Sequence, residues 1–119
     1  MEIHRIAPQA VQMHQKRGDQ VLFFDARRGN AWDLSSEQLP DAQRMPHAHL
    51  DKFLAAIPRE AILVVYAKSG CDEACEVEYG ILHSAGFLHV YVLDGGIDAW
   101  VDGGLPTDVR GGAAMAPTA

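Results

Sequence analysis

The sequence is short of cysteine, of positive charge and of long apolar runs. Two cysteines among 119 residues are too few for the disulfide scaffold that holds small secreted domains together. In a reducing compartment such cysteines are either buried packers or reactive groups. Ten Lys and Arg stand against 16 Asp and Glu, a net charge of −6. That balance argues against sequence-independent nucleic-acid binding, which needs clustered cations to displace counterions from phosphates. It equally disfavours attraction to anionic membrane surfaces. No apolar run approaches the roughly 20 residues that span a bilayer. The opening "MEIHRIAPQAV" lacks the basic start and long apolar stretch of a secretory signal, so the expected location is the cytoplasm.

Other signatures are missing too. Neither Cys-x-x-Cys nor His-Glu-x-x-His is present. His47 and His49 have the spacing of one strand face. Solvated or packing roles suit the six histidines better, and neither a metal nor a cofactor is expected. No cysteine has an Arg six positions on. From Cys71 that position is Val77, which excludes a Cys-x5-Arg phosphatase loop.

What is present is alternation. With 48% hydrophobic and 22% charged residues, the chain reads as one globular domain with a real core. Short strands are expected at "EIHRI", "QVLFFDAR", "AHL", "AILVVY" and "FLHVYVL". Helices are expected at "PQAVQMHQKRG", at "DKFLAAI" with Asp51 as cap, from about Glu73 to Ala85, and within "GGIDAWVDGG". Residues 27–47 read as a long loop with one helical turn near "SSEQL". No Asn-Gly or Asp-Gly hairpin joins two strands, so the strands should run parallel, joined by helical crossovers. Sites in such sheets lie beyond the carboxyl ends of strands, where strand order reverses. Two strand ends qualify, "FFDAR" and "VVYAKSG".

Four segments in order carry a resemblance. "FFDAR" (Phe23–Arg27), "RMPHA" (Arg44–Ala48), "VVYAKSG" (Val64–Gly70) and "AGFLHVYVLDGGIDAWVDGGLP" (Ala85–Pro106) resemble the motifs of the rhodanese-homology domain, the fold of thiosulfate and related sulfurtransferases. The resemblance covers roughly residues 3–109. It implies an α/β fold with a five-stranded parallel sheet, order 1-5-4-2-3, flanked by helices on both faces. It implies one rhodanese-like domain over residues 1–109; the small-residue-rich "RGGAAMAPTA" reads as a flexible tail over 110–119. In that family a cysteine ending the fourth strand attacks a sulfane sulfur, holds it as a persulfide and passes it to an acceptor. The loop after it points amide hydrogens at the sulfur.

The departures from the family lie in that loop. Aligned on the strand, the nucleophile's position is Ala67, and a methyl group cannot attack sulfur. The loop comprises Ala67, Lys68, Ser69, Gly70, Cys71, Asp72 and Glu73. From Ala67 to Glu78 one cation faces four carboxylates, which disfavours both a thiolate and an anionic donor. The expectation is therefore a domain without efficient thiosulfate turnover that acts as a regulatory or binding module. The alternative is a sulfurtransferase or redox sulfur carrier with Cys71 as persulfide-forming nucleophile. The partner is a small sulfur donor or a protein.

Cys75 lies at the edge of an apolar stripe formed by Ala74, Val77, Ile81 and Ala85. It reads as a half-buried core thiol before it reads as catalytic. A bond to Cys71 is open to it if Cys71 lies in the loop rather than the helix. Glu78 falls inside the stripe, either reaching outward or buried with a raised pKa. Asp25 and Arg27 read as a supporting charge pair that fixes strand ends, and Trp100 as a packing anchor. The segment from Arg27 to Arg44 is longer than the family usually has, as a lid or a docking surface would be.

Overall fold

The computed structural model describes residues 2–110. Past Arg110, the tail expected over 110–119 lies outside the described residues. The chain opens with β1 (Arg5–Ile6) and α1 (Pro8–Lys16). Pro8 suits the first helical position, where a missing N–H breaks no intrahelical bond. Then come β2 (Val21–Asp25), the helical turn α2 (Asn30–Asp33), the two-residue strand β3 (Glu37–Gln38) and α3 (Leu50–Ala55). They are followed by β4 (Ile62–Tyr66), α4 (Glu73–Ser84), β5 (His89–Leu93), α5 (Gly96–Asp102) and β6 (Asp108–Val109).

β1, β5, β4 and β2 form one parallel sheet in that order. β4 is central, and all five of its residues are buried. Its side chains alternate between two cores. Leu63 and Val65 face Phe53, Leu54, Tyr79 and Leu82 of α3 and α4. Ile62, Val64 and Tyr66 face Val11, Ile97 and Trp100 of α1 and α5. A strand covered on both faces must be apolar at every position, which is why "ILVVY" shows no polar alternation. Trp100 anchors the second core. Its indole N–H donates to the Pro106 carbonyl at 2.8 Å, and its ring meets Phe23 edge-on at 5.3 Å.

The sheet has four strands, not the expected five in order 1-5-4-2-3. Where a fifth would run beside β2, a single parallel bridge joins Phe24 and Gln43. Asp25 N donates to the Gln43 carbonyl at 2.8 Å, and Gln43 N to Phe23 at 2.9 Å. The next rung of a parallel ladder would need the Arg27 N–H, which donates instead to Asp25 Oδ1 at 3.0 Å. "AHL" is not a strand either: residues 47–49 bend, and His49 takes φ 56° before α3. Asp51 sits in the first turn of α3 rather than capping it. The helical turn expected near "SSEQL" lies earlier, at α2. Residues 37–38 instead pair antiparallel with β6. The stripe expected on α4 is also shifted: its buried residues are Cys75, Glu78, Tyr79 and Leu82, while Val77 is 54% exposed.

Candidate functional site

β4 delivers the chain to the site. Ala67, the first residue past the strand, is buried. Its carbonyl accepts from Ile97 N at 3.0 Å, and the Lys68 carbonyl from Asp98 N at 2.9 Å. The first turn of α5 therefore clamps the start of the loop. Gly96 permits this approach, with φ +63° and room for no side chain: a Cβ there would lie 2.6 Å from both carbonyl oxygens. Residues 67–72 then curl around a hollow of about 270 Å³. Among the described residues, none of the amides of 68–71 donates to another backbone group.

The far side of the loop is set by Asp72. It caps α4, its carboxylate accepting from Cys75 N at 3.0 Å. Its extended φ and ψ of −85° and −173° turn Cys71 off the helical spiral. On a regular helix two Cβ atoms four apart lie too far apart for a disulfide. With Cys71 outside the helix, the Cα–Cα distance is 5.3 Å and Cys71 and Cys75 are joined as a disulfide. Cys71 is partly buried and Cys75 wholly so. Cys75 thus lies deeper than the half-buried edge position its sequence context suggested.

Glu78 is one turn beyond Cys75 on the same buried face and is 4% exposed. Oε1 has no hydrogen-bond partner among the described residues. Oε2 lies 3.9 Å from Arg28 Nη2. Burial pushes the carboxyl up to about 7, helped by Asp25 and Asp72 and opposed by Arg28 and Arg44. Of the two roles the sequence left open, the buried acid is the one realised.

Asp25 and Arg27 form a closed pair at the end of β2. Both Arg27 Nε and Nη2 donate to the Asp25 carboxylate, Nη2 at 2.7 Å. The Tyr66 hydroxyl donates to the same carboxylate at 2.7 Å. Burial, then the Asp25 charge, hold the Tyr66 phenol above its ordinary range. The remaining Arg27 donors reach Ser35 Oγ and the Glu37 carbonyl, both at 2.8 Å. Arg27 is thereby committed to holding the 35–37 segment.

Sequence inspection missed Trp32. The guanidinium carbons of Arg44 and Arg110 lie 3.9 and 3.8 Å from its ring centroid. Arg110 Nη1 also donates to the carbonyls of Trp32 and Ser35. These contacts pin the long segment against the C-terminal strand. The one available signal was a lone large aromatic in an otherwise polar stretch. Beside it, a groove of about 500 Å³ runs between the 30–37 segment and α5, with Leu34, Ile97 and Val101 in its walls and Lys68 at the loop end. Among the described residues no group of three or more His, Cys, Asp or Glu is placed to hold a metal. No described helix is long and apolar enough to cross a membrane.

The family model described as "Rhodanese-like domain" matches residues 7–102. The chain belongs to the rhodanese-like family. This rhodanese-like domain is 31% identical over 88 residues to a protein of Allochromatium vinosum named sulfurtransferase, covering 74% of this chain and 78% of that one. It is 32% identical over 114 residues to the tRNA uridine(34) hydroxylase of Rhodococcus jostii, covering 87% of this chain but only 36% of that protein. The chain thus spans about a third of the hydroxylases it matches. Among solved structures, the rhodanese-like domain of the Anabaena sp. Alr3790 protein superposes with a TM-score of 0.67 at 25% identity, covering all of this chain and 88% of that one.

Proposed function

We propose that this rhodanese-like domain is a sulfane-sulfur carrier that works through the Cys71–Cys75 pair, in place of a strand-end nucleophile. The observation that carries the reading is the closure of that pair at the edge of the hollow formed by residues 67–72. In the reduced form, the Cys71 thiolate attacks the outer sulfur of a donor such as thiosulfate. A Cys71 persulfide forms and sulfite leaves. The persulfide sulfur passes to a thiol acceptor, or the Cys75 thiolate attacks Cys71 Sγ. In the second route the Cys71–Cys75 bond forms and hydrosulfide leaves. A dithiol reductant then returns two electrons and two protons, and the cycle closes.

The thiol is helped by its place at the start of α4, where free amides and the helix dipole favour an anion. The chain spans about a third of the tRNA uridine(34) hydroxylases, and hydroxylation forms no part of this proposal.

The test is hydrosulfide release from pre-reduced protein given thiosulfate and a dithiol. The expected result is release that is lost in Cys71→Ser; in Cys75→Ser, where the dithiol must take the persulfide sulfur itself, release should become proportional to dithiol concentration. Release unchanged in Cys71→Ser would remove the reading. Ala67 at the strand end and the groove between the 30–37 segment and α5 favour a second one, a regulatory module that binds a protein segment without chemistry. Absence of release from wild type, with both thiols reduced, would leave that reading standing.

A further inference from the structure

We propose that Glu78 holds and returns the proton of the buried Cys75 thiol, and so sets the pH range in which the cysteine pair opens and closes. The inference rests on the dithiol reading above. Cys75 has no exposed surface, so its proton has no direct route to water when the pair is reduced. A thiolate left there would be an unpaired buried charge. Glu78 lies at i+3 on the same buried face of α4, where side chains are neighbours. Its Oε1 is an acceptor without a partner, which is the kind of buried polar atom that calls for an explanation.

The charges that face it bracket its role. Arg28, from the segment after β2, and Arg44, just past the Gln43 bridge, favour the carboxylate. Asp25 at the end of β2 and Asp72 at the start of α4 favour the acid. Burial and these opposed charges leave the group able to change state near neutral pH, where thiol exchange operates.

A reductant thiolate attacks Cys71 Sγ, and a mixed disulfide forms. The Cys71–Cys75 bond breaks and its electron pair goes to Cys75 Sγ. The Glu78 carboxyl gives its proton to that sulfur and is left as carboxylate, to be reprotonated from water. In the closing direction, the Glu78 carboxylate takes the proton of Cys75 as that sulfur attacks the Cys71 persulfide, and hydrosulfide leaves. Glu78 exchanges its proton with Cys75 Sγ, one of the reacting atoms, and so acts as the general acid and base of the exchange.

The experiment is the rate of reduction of the oxidised protein by dithiothreitol between about pH 5 and 9, corrected for the thiolate fraction of the reductant. Wild type is expected to show an inflection near pH 7. Glu78→Gln should lose the inflection and slow at least tenfold at neutral pH. Glu78→Asp, which keeps the acid, should restore an inflection at a shifted pH. A Glu78→Gln profile that overlays wild type overturns this inference and leaves the dithiol reading intact. Wild-type cysteines that stay free under oxidised glutathione overturn both. If Glu78→Gln does not fold, the Glu78→Asp profile decides: an inflection identical in position and size to wild type counts against Glu78.

Discussion

At the scale of single residues, the decisive facts concern Ala67, Cys71, Cys75 and Glu78. The place of Ala67, first residue past β4, was plain in the sequence, because the strand "ILVVY" fixes where its end must fall. The helix face was not. Ala74, Val77 and Ile81 form as good an apolar stripe as the true one, and Glu78 argued against burial of the true one. The chain buries it nonetheless, since Tyr79 reaches the Glu2 and His4 backbone and Cys75 is tied to Cys71. The cost is legible as a pH dependence. The folded value of Glu78, about 7, exceeds its ordinary 4.5. The stabilisation that its proton gives is full below about pH 4.5 and is lost as pH rises through about 7. Glu78→Gln should therefore gain on the order of 1–3 kcal/mol relative to wild type between about pH 4 and 8, read by denaturant titration. A constant difference across that range would contradict the buried-acid assignment. Ala67→Cys puts a thiol back at the strand end, and thiosulfate:cyanide activity should appear; none would mean that the hollow no longer fits the anion.

At the scale of elements, loop and helix are coupled through α5. Gly96→Ala brings a Cβ against two loop carbonyls at a positive φ. It should cost about 2 kcal/mol or more and lower persulfide formation at Cys71 together with stability. Gly70→Ala meets nothing within 4 Å, and should change stability by less than about 0.5 kcal/mol. Equal losses in thermal unfolding would show that α5 does not clamp the loop. The alternation of strands and helices was readable because it follows from apolar period and turn residues. The fifth strand was not, because its failure depends on contacts of the Arg27 backbone, whose N–H donates to Asp25 Oδ1 and whose carbonyl accepts from Arg44 Nη1 at 2.9 Å. Propensity alone reports neither.

At the scale of the whole molecule, long-range partners decide what the sequence left open. Arg110 is 78 residues from Trp32, and no local pattern links them. Their contact makes the 27–44 segment a fixed wall rather than a free lid. Trp32→Ala should raise amide exchange in residues 29–38 and 108–110 together, with β4 unchanged; exchange raised in only one of the two segments would break the link. The acidic loop also reads differently in three dimensions. Burial raises the Glu78 pKa to about 7, so its charge is only partial near neutral pH; Asp72 is engaged as a cap, and Arg28 stands nearby. The repulsion expected from the bare count of charges is correspondingly weaker. What remains is the claim that reactive sulfur has moved from the strand end to the helix start. Intact-mass analysis of reduced Cys75→Ser after a sulfane donor tests it most directly. A gain of about 32 Da, one sulfur atom, located on Cys71 and absent from the Cys71→Ser, Cys75→Ser double variant is the expected result. A mass unchanged by the donor, with Cys71 still alkylatable, would contradict it.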